Sequence, residues 1–497
     1  MILPDFSDTI VALATPPGLG AIAVIRLSGP DAIGLSARIF KGKNLLKQAS
    51  HTAHFGRLEA EDGRILDEVL VTLFQAPRSY TGENIVEISC HGSPYIQQEI
   101  IQLCVRQGAR MAMAGEFTLR AFMNGKMDLS QAEAVADLIA SQSEVGHHVA
   151  MRQLRGGFKN EISRLRGELI HFASMVELEL DFSEEDVQFA DRHALRALVQ
   201  EIRRHTQALI ASFQLGNVLK TGVTTVIAGR PNAGKSTLLN ALLNEERAIV
   251  SAIAGTTRDT IEEVLNIHGV QFRLIDTAGI REAQDQIEAI GVQRTMEKIQ
   301  DAAVLVYVWD ITTMTLQEVY ADLDKLIPAL NASGTDNPVE APQGLLIVCN
   351  KMDHNPYFQT DWLLHPEAPE VHPYLLDEGT KGVSAPAFMA GLADAIIPIS
   401  AKNQQNIEYF KEKLFEMVAG GGIRTDQTIV TNARHYAALR AADGALEDVL
   451  IGLDTGITGD FVAQDIRRAL AFLGEITGEI GVEDLLGEIF GKFCIGK

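Results

Sequence analysis

The sequence predicts a multidomain protein of mixed α/β and α+β class, in which a nucleotide-binding domain interrupts a helical domain. Residues 223–228 form an apolar run that leads into a glycine-rich loop and a helical pattern, as in a phosphate-binding strand–loop–helix unit. Apolar residues recur at three- and four-residue spacing before and after this region, at about 128–217 and 426–497. The chain of 497 residues has room for roughly three domains of about 150 residues each.

Residues 1–125 alternate short apolar runs with Gly and Pro turns, which predicts a compact α+β domain. Its strands are expected near residues 9–14, 21–27, 68–74 and 84–90. Helical periodicity then predicts the first part of a helical domain over residues 126–217. The string DFSEED, residues 181–186, is expected to separate two long helices, because Ser and Asp suit a helix N-terminus, and the second helix is expected to run to about residue 215.

Residues 218–422 are predicted to form the inserted domain, a mostly parallel sheet flanked by helices. Its strands are expected near residues 223–228, 260–267, 270–276, 302–309, 344–349 and 396–399. The run GGG at 420–422 is typical of a linker. Helical periodicity returns over residues 423–497, the predicted second part of the helical domain, which we expect to pack against the first part.

Five motifs in the inserted domain occur in the order and spacing typical of a GTPase. They are GRPNAGKS (Gly229 to Ser236), GTTRD (Gly255 to Asp259), DTAG (Asp276 to Gly279), NKMD (Asn350 to Asp353) and SAK (Ser400 to Lys402). A phosphate loop alone indicates only a nucleotide, whereas the later motifs indicate the base, the metal position and the loop that moves on hydrolysis. We therefore expect a P-loop GTPase domain that serves another activity.

The phosphate loop points backbone N–H groups and a helix N-terminus at the phosphates. Gly229 and Gly234 allow the tight turn. Lys235 is expected to reach the β and γ phosphates, and the Ser236 hydroxyl to bind Mg²⁺. The residues expected to contact GTP here are Gly229, Asn232, Ala233, Gly234, Lys235, Ser236 and Thr237.

Two further segments are expected to sense the γ-phosphate. Asp276 would hold the metal through water, and the Gly279 N–H would contact the phosphate. Thr256 and Thr257 lie in a loop that is expected to close over Mg²⁺ and the γ-phosphate and to open after hydrolysis. The other GTP contacts predicted in these segments are Ser251, Thr277 and Ala278.

The NKMD motif predicts guanine rather than adenine. The Asp353 carboxylate can accept two hydrogen bonds, from the imino and the exocyclic amino group of guanine, whereas adenine would leave the charge unsatisfied. Asn350 and Lys351 are expected to brace the neighbouring loop and the ring. The residues expected to cover the base are Ser400, Ala401 and Lys402.

The group that orients the attacking water is not fixed by these motifs. Ile280 follows DTAG at the position where many signalling GTPases have a water-orienting glutamine. The acidic segment that follows offers three carboxylates, Glu282, Asp285 and Glu288, and the residues alone do not choose among them.

Asn232 has two interpretations. Its amide oxygen, with the loop that contains Ser251, Ile253 and Thr256, could form an oxygen cage for a monovalent cation, which would supply the positive charge that other GTPases take from an arginine. Alternatively, Asn232 is a turn residue that satisfies its own loop. Both interpretations stay open on the residues alone.

Composition limits the function classes. The net charge of −22, from 43 basic and 65 acidic residues, disfavours unaided nonspecific binding of nucleic acid, so an RNA substrate would need a basic partner or a local basic patch. The sequence has no apolar run of the roughly 18 residues that a membrane span needs, and its N-terminal segment lacks the pattern of an export signal. A cytoplasmic protein without a membrane partner is expected.

The widely spaced cysteines predict free thiols in a reducing compartment; they are Cys90, Cys104, Cys349 and Cys494.

Several strings beyond the GTPase motifs resemble the MnmE/TrmE family of tRNA-modification GTPases, over nearly the whole chain. The strings that carry the resemblance are ATPPGLGAIAVIRLSG, TGENIVEISCHG, AGEFTLRAFMNGKMDLSQAEAVADLI, DFSEED, DTAGIREAQDQIEAIGVQR, TNARHY and the terminal FCIGK. Residues 354–399 depart from the family, which usually has a shorter connection there. The prolines, glycines and aromatic residues of this segment predict an ordered surface insertion, a candidate partner contact.

The resemblance implies the following function. Family members act with a FAD-dependent partner, MnmG/GidA, to place an aminomethyl or carboxymethylaminomethyl group on carbon 5 of the wobble uridine of certain tRNAs. The one-carbon unit comes from a tetrahydrofolate such as 5-formyltetrahydrofolate, and GTP is hydrolysed. The N-terminal domain resembles folate-binding domains and forms the homodimer, which would assemble with the partner as a heterotetramer. The GTPase domains associate in a potassium-dependent manner.

The resemblance also assigns residues. The K⁺ ligands would be Asn232, Ser251, Ile253 and Thr256; the Mg²⁺ ligands would be Ser236 and Thr257. Glu288 would orient the hydrolytic water, with Asn232 and Lys235 as the other catalytic residues. The folate site would comprise Arg26, Glu87, Lys126 and Lys497. Cys494 is a candidate redox or catalytic thiol, although a lone cysteine is by default a small buried hydrophobic residue.

Two other functions are compatible with parts of the sequence. A related GTPase could act as a ribosome-assembly switch without small-molecule chemistry, but such proteins usually carry a basic RNA-binding domain, and the acidic composition disfavours one here. Alternatively, the chain could be a folate-binding module whose GTPase controls only the geometry of a dimer. Folate binding without an effect on tRNA composition would favour this last interpretation.

Overall fold

The computed structural model divides into two compact units. One unit comprises Met1–Ala140, Ala150–Ala211 and Ala433–Lys497, and the other comprises Ser141–Val149 and Ser212–Asn432. The residues that the structure describes are 7–141, 143–181, 192–245, 262–276, 298–300, 302–331, 344–366, 384–419, 428–455, 457–479, 486, 489–491, 493 and 496. The finer division of the chain into four segments stays a prediction.

The N-terminal part of the first unit is built on a seven-stranded sheet with the strand order β3-β4-β5-β6-β2-β1-β7. Its neighbouring strands are antiparallel apart from the parallel pair of β1 and β7. The strands are β1 Ile10–Leu13, β2 Ile22–Ser28, β3 Phe40–Lys41, β4 Thr52–Glu59, β5 Ile65–Phe74, β6 Ile85–His91 and β7 Arg110–Met111. The helices of this region are α1 Ala32–Ile39, α2 Pro94–Arg106 and α3 Glu116–Met123.

The four predicted strands of this region are present, and three others, β3, β4 and β7, were missed. Two of these have only two residues, and β4 reads TAHFGRLE, in which few apolar residues alternate. Strand β5 shows the expected pattern, because alternate residues from Val69 to Leu73 are buried. These side chains form a core with α1 and α2. A second, smaller core forms where Ile10 and Ala12 of β1 pack with Phe117 of α3, and the half-buried Arg26 lies near the Phe117 ring.

Long helices form the rest of the first unit, together with the segments that flank the inserted domain. They are α4 Leu129–Ala140, α5 Glu144–Leu154, α6 Gly157–Asp181, α7 Arg192–Thr221, α11 Ala433–Thr455 and α12 Gly459–Thr477. Helix α6 ends at the first residue of the DFSEED string, as that string predicts, and residues 182–191 lie outside the described part of the chain. None of the described helices has the length and apolar content needed to cross a membrane.

A buried charged cluster joins α4 to the two C-terminal helices. Arg434 donates two hydrogen bonds to the Glu133 carboxylate, at 3.0 and 2.9 Å, and His435 Nε2 lies 2.7 Å from the same carboxylate. Arg434 also donates to the carbonyls of Glu475 and Ile476 at the end of α12, at 2.5 and 3.1 Å. Burial raises the pKa of Glu133, but His435 and Arg434 outweigh this effect and lower it to about 2.

The inserted domain, in the second unit, has a six-stranded sheet with the order β13-β12-β11-β8-β10-β9, parallel except for the antiparallel pair of β9 and β10. Its strands are β8 Val223–Ala228, β9 Glu262–Ile267, β10 Val270–Asp276, β11 Val304–Asp310, β12 Leu345–Asn350 and β13 Ile396–Pro398. Its helices are α8 Lys235–Glu245, α9 Leu316–Asn331 and α10 Ile407–Ala419. All six predicted strands are present, because buried parallel strands read as continuous apolar runs.

The 354–399 segment is only partly a surface insertion. It forms short 3₁₀ turns, among them Thr360–Leu363 and Ala387–Gly391. Trp362 and Leu363 are buried in the core that covers β11 and β12, as are Met389 and Leu392. The prediction of a surface element is therefore wrong for these residues, because their apolar side chains are removed from water. Residues 367–383 lie outside the described part of the chain.

Replacing Glu133 by Gln should destabilise the first unit. The amide keeps the volume but leaves the buried Arg434 without its counter-charge, and we expect the free energy of unfolding to fall by about 3–5 kcal/mol. Because the pKa of Glu133 is lowered, its contribution is complete above its ordinary value of 4.5 and is lost as the pH falls toward 2. Chemical denaturation at several pH values measures both effects.

The matched control is Glu168→Gln, which breaks an exposed i,i+4 ion pair with Arg164 on α6. Such a pair contributes about 0.3–0.5 kcal/mol, so this variant should unfold almost as the parent does. The free energies of unfolding of the parent and of Glu133→Gln should converge at low pH. If they differ as much at pH 2 as at pH 7, the charge interaction assigned to Glu133 is contradicted.

Candidate guanine-nucleotide site

The described parts of four of the five predicted motifs lie at one edge of the six-stranded sheet. Each follows a parallel strand: β8 ends at Ala228, β10 at Asp276, β12 at Asn350 and β13 at Pro398. Because these strands are parallel, their carboxyl ends lie at the same edge, where open α/β sheets bind ligands. The topology therefore brings together segments that are up to 170 residues apart, as residues 229 and 399 show.

Glycine is required at both ends of the phosphate loop. Gly229 has φ +148°, and a Cβ there would lie 2.3 Å from the carbonyl oxygen of Val308 on β11. Gly234 has φ +97°, and a Cβ there would lie 2.1 Å from Asn350 Nδ2. Asn232, with φ 64°, occupies the left-handed region, which asparagine tolerates better than most side chains. The loop is thus shaped by close approaches of β11 and of Asn350.

The buried Asn350 amide connects the phosphate loop to the SAK loop. Its Nδ2 donates to the carbonyl oxygen of Ala233 at 2.8 Å, and its Oδ1 accepts from the N–H of Ala401 at 3.1 Å. Both ends of one side chain are therefore used, and neither contact is possible if the amide turns around. Asn350 thus links the two loops, and its role in bracing a bound nucleotide stays a prediction.

The Lys235 ammonium lies over the loop that precedes it. Its Nζ donates to the carbonyl oxygens of Gly229 and Arg230 at 2.8 and 2.9 Å, and the residue is almost fully buried. Arg230 is itself held by α9: its guanidinium donates to both oxygens of Asp322, at 2.8 and 3.1 Å, and to Glu318. The loop is thus tied to a helix as well as to two strands.

The side chains after β12 are set by charge pairs. Lys351, which has φ 68°, places its Nζ 2.5 Å from Asp310 Oδ2 at the end of β11. Asp310 also accepts hydrogen bonds from the N–H and hydroxyl of Thr312, at 2.9 and 2.6 Å. Burial raises the pKa of Asp310, but the hydrogen bonds from Lys351 and Thr312 outweigh it and hold the pKa below its usual value.

Asp353 pairs with the SAK loop. A hydrogen bond from the Ser400 side chain lowers the pKa of Asp353, so the group is a carboxylate at neutral pH. The Ser400 hydroxyl also accepts from the N–H of Asn403 at 3.2 Å, and Ser400 and Gln405 exchange two backbone hydrogen bonds. The carboxylate and its serine partner are therefore held in place, and Lys402 is exposed beside them.

The structure places part of the predicted GTP site. Ser236 and Thr237 lie exposed in the first turn of α8, directly after the loop. The backbone of Asp276 ends β10. The predicted site residues that lie outside the described part of the chain are Ser251, Ile253, Thr256, Thr257, Thr277, Ala278, Gly279 and Glu288.

On the N-terminal sheet, Arg26 and Glu87 are directly opposite each other on β2 and β6. Arg26 Nε and Nη2 lie 2.9 and 2.8 Å from the same oxygen, Glu87 Oε1. The guanidinium carbon lies 5.7 Å from the ring centroids of Tyr80 and of Phe117, and Nη1 donates to the carbonyl of Gly496 at 3.4 Å. Two of the four predicted folate residues are therefore in contact.

The other predicted residues of that site are less fully described. Lys126 Nζ donates to the carbonyl of Pro77 at 3.0 Å, so it lies against the same segment that contributes the Tyr80 ring. Lys497 and Cys494 lie outside the described part of the chain. The other three cysteines are buried free thiols, and burial raises the pKa of Cys90 to about 11 and of Cys104 to about 12. These two thiols are therefore poor nucleophiles.

Comparisons with known proteins agree with this geometry. The model of the MnmE helical domain matches residues 129–494, and that of the GTP-binding protein TrmE N-terminus matches residues 9–126. The tRNA modification GTPase MnmE of Cytophaga hutchinsonii is 52% identical over 493 residues, which cover 99% of this chain and 98% of that protein. The tRNA modification GTPase MnmE of Christiangramia forsetii is 53% identical over 500 residues, which cover 99% of this chain and 99% of that protein. The protein of the same name from Bacteroides thetaiotaomicron is 47% identical over 494 residues, with the same coverage of both chains.

The chain belongs to the MnmE family of tRNA modification GTPases. The family predicted from the sequence is thereby confirmed, as is the assignment of the chain as a GTP-hydrolysing enzyme. The multidomain α/β and α+β fold class is confirmed as well.

Sequence reasoning missed residues that support the MnmE-type site without belonging to its motifs. Asp310 could have been found from the sequence, because it is the single acidic residue of β11 and ends the apolar string VLVYVWD. The two acidic partners of Arg230 could not be identified from the sequence. Glu318 and Asp322 lie on one face of α9, but 88 and 92 residues separate them from the loop.

Replacing Gly234 by Ala should disrupt the phosphate loop of this MnmE-family enzyme. The added methyl group would occupy the position of Asn350 Nδ2, so the amide must move and the Ala233 carbonyl loses its donor. Loss of a buried hydrogen bond costs about 1–3 kcal/mol, which corresponds to a roughly 5- to 150-fold weaker affinity for guanine nucleotide. Titration with a fluorescent GDP analogue measures the change.

Gly167→Ala is the matched control, since a Cβ at this position in α6 meets no atom within 4 Å. Its GDP affinity should equal that of the parent. An unchanged affinity in Gly234→Ala would refute the view that contact between this glycine and Asn350 shapes the loop.

Proposed function

We propose that this protein couples GTP hydrolysis to modification of carbon 5 of the wobble uridine of certain tRNAs. It installs an aminomethyl or carboxymethylaminomethyl group together with a FAD-dependent partner of the MnmG/GidA type, using a one-carbon unit from 5-formyltetrahydrofolate or a related tetrahydrofolate. The observation that carries this proposal is the similarity to proteins named tRNA modification GTPase MnmE along 99% of the chain. The geometry of the two candidate sites supports it.

The phosphates of GTP bind at the N-terminus of α8. There the backbone N–H groups of the loop would meet the negative charge, and the Lys235 ammonium, which here donates to the Gly229 and Arg230 carbonyls, would turn to the phosphates. The donor set fits Mg²⁺, since the Ser236 hydroxyl is exposed in the first helical turn and hydroxyl and carboxylate oxygens suit this ion. Ser236 and Thr257 would hold Mg²⁺, which neutralises phosphate charge when bound.

Guanine binds between the NKMD and SAK loops. The Asp353 carboxylate accepts from the imino and amino groups of the base, and its lowered pKa keeps it ionised for this task. Lys351, held by Asp310, lies beside the ring, and Ser400, Ala401 and Lys402 cover it. The remaining nucleotide contacts proposed from the sequence are Thr277, Ala278 and Gly279.

Hydrolysis uses a monovalent cation and a carboxylate. Asn232 is exposed in a left-handed turn, which leaves its amide oxygen accessible for K⁺. With Ser251, Ile253 and Thr256 it would hold the cation, which adds positive charge near the phosphates when bound. Glu288 then orients the attacking water.

The folate site is built around the paired Arg26 and Glu87 of the N-terminal sheet. Both Arg26 contacts go to one oxygen of Glu87, and among the described residues no contact occupies the other, Oε2. This oxygen suits the amino and imino groups of a pterin, while the partly exposed Tyr80 ring beside Arg26 offers an aromatic face for stacking. Lys126 and Lys497 would bind the negatively charged glutamate tail, and Cys494 is a candidate redox or catalytic thiol.

The assembly is a homodimer formed through the N-terminal domain, which joins the flavoprotein partner as a heterotetramer. Apolar side chains are exposed on the N-terminal sheet, among them Ile22 at 67% and Phe55 at 68%, and such residues favour a protein interface. The charge of −22 indicates that the partner supplies much of the basic surface for tRNA. A cytoplasmic location is part of the proposal.

Nucleoside mass spectrometry of bulk tRNA tests the proposal. Cells that lack this protein should lose the 5-substituted wobble uridines, and expression of the intact chain should restore them. Glu288→Ala, produced at the same level, should bind GTP with nearly parental affinity and restore nothing, because hydrolysis is required. A tRNA composition that does not depend on this protein would refute the modification role.

Hydrolysis should also depend on the monovalent cation. We expect GTP turnover at least about tenfold faster in potassium chloride than in sodium chloride at equal ionic strength, equivalent to about 1.4 kcal/mol in the barrier. Asn232→Ala should reduce the ratio of the two rates toward one. Equal rates of the parent protein in both salts would remove the cation role of Asn232 while leaving the nucleotide site in place.

A further inference from the structure

The insertion begins directly after the residue proposed to read guanine. The chain passes from Lys351 through the 3₁₀ turn Met352–His354, and successive backbone hydrogen bonds continue this turn structure. Their donor–acceptor pairs are His354 N to Lys351 O, Asn355 N to Met352 O, Phe358 N to Asn355 O and Trp362 N to Gln359 O, at 2.9 to 3.2 Å. Asp353 therefore lies within the first of a series of hydrogen-bonded turns that reaches Trp362.

An aromatic cluster, made of Trp309, Phe358 and Trp362, anchors this segment. The Phe358 ring packs edge-to-face against Trp309, with centroids 5.4 Å apart, and against Trp362, with centroids 5.8 Å apart. Trp309 is fully buried and Trp362 is 6% exposed. Trp309 immediately precedes Asp310, the partner of Lys351, so the start of the loop and its continuation are fixed to adjacent residues of β11.

The same segment also reaches the second base loop. The turn Thr360–Leu363 lies against strand β13, whose end leads into Ser400, and Ser400 hydrogen-bonds Asp353. On its other side the Tyr320 hydroxyl of α9 donates to the Leu363 carbonyl at 2.9 Å. The segment is thus tied to β11, β13 and α9.

We infer that residues 355–363 are a positioning segment for guanine recognition, in which Phe358 fixes the loop that carries Asp353 by packing between Trp309 and Trp362. The inference rests on the proposed role of Asp353 as the reader of the base. A carboxylate discriminates between bases only if it stays within hydrogen-bond reach, and the segment restricts its movement. Phe358 acts through Asp353 and does not itself touch the nucleotide.

The test compares the affinities of the full-length protein for GDP and IDP, since inosine lacks the 2-amino group that Asp353 would bind. Phe358→Ala removes the ring and should weaken GDP binding about fivefold or more, while IDP binding, which depends less on the carboxylate, should change by about twofold at most. The preference for GDP over IDP should therefore fall. A general loss of folding or of phosphate binding would weaken both ligands equally and leave this ratio unchanged.

Two further variants make the result decisive. Tyr357→Ala is the matched control, because this neighbouring aromatic side chain is 79% exposed. The ratio of its affinities for GDP and IDP should equal that of the parent. Phe358→Leu keeps apolar volume, so it should retain more of the preference for GDP over IDP than Phe358→Ala. If Phe358→Ala does not fold, Phe358→Leu is measured in its place. Folding is checked by intrinsic fluorescence, since the only two tryptophans of the chain both belong to the cluster.

Asp353→Ala separates failure of the inference from failure of the proposed site. If Asp353→Ala leaves the preference for GDP over IDP intact, the base assignment fails and the inference fails with it. If Asp353→Ala abolishes the preference but the Phe358 variants keep the parental ratio, the positioning role is overturned and the base assignment stands. A lower ratio in both Asp353→Ala and Phe358→Ala supports the positioning role.

Discussion

The two hydrogen bonds of the Asn350 amide are the interaction on which the nucleotide site depends. One end of the side chain holds the Ala233 carbonyl of the phosphate loop, and the other holds the Ala401 N–H of the SAK loop. The buried amide can satisfy both only in one orientation, and the absence of a side chain at Gly234 provides the space that it occupies. The phosphate end and the base end of the site are therefore kept at a constant separation by one residue.

The parts of this site that follow apolar strands could be predicted from the sequence. The phosphate loop, NKMD and SAK each come after a buried parallel strand, and such strands are visible as continuous apolar runs. Their convergence follows from the rule that parallel strands present their carboxyl ends at one edge. Short or polar strands such as β4 carry no comparable pattern, and for that reason they were missed.

Contacts between distant residues could not be predicted in the same way. The pair Arg26 and Glu87 depends on the register between β2 and β6, which the hydrophobic pattern of either strand alone does not define. Likewise, nothing in the 354–399 segment distinguishes a buried Trp362 from an exposed Tyr357, because both are aromatic residues among prolines and polar residues. The family resemblance named Arg26 and Glu87 as folate-site residues, which stays a prediction, but it did not predict their ion pair; that pair and the burial of Trp362 required the structure.

The end of β11 connects three parts of the inserted domain. Three consecutive residues there each constrain a different element: the Val308 carbonyl lies against Gly229, the Trp309 ring contacts Phe358, and the Asp310 carboxylate holds Lys351. Because successive side chains of a strand point to opposite faces, Trp309 can serve the core on one face while Asp310 serves the nucleotide edge on the other. The segment that packs on Trp309 is thus linked to the base loop through one peptide unit of a fully buried strand. This linkage is the physical basis of the proposal that the segment positions Asp353 without contributing a ligand to the nucleotide.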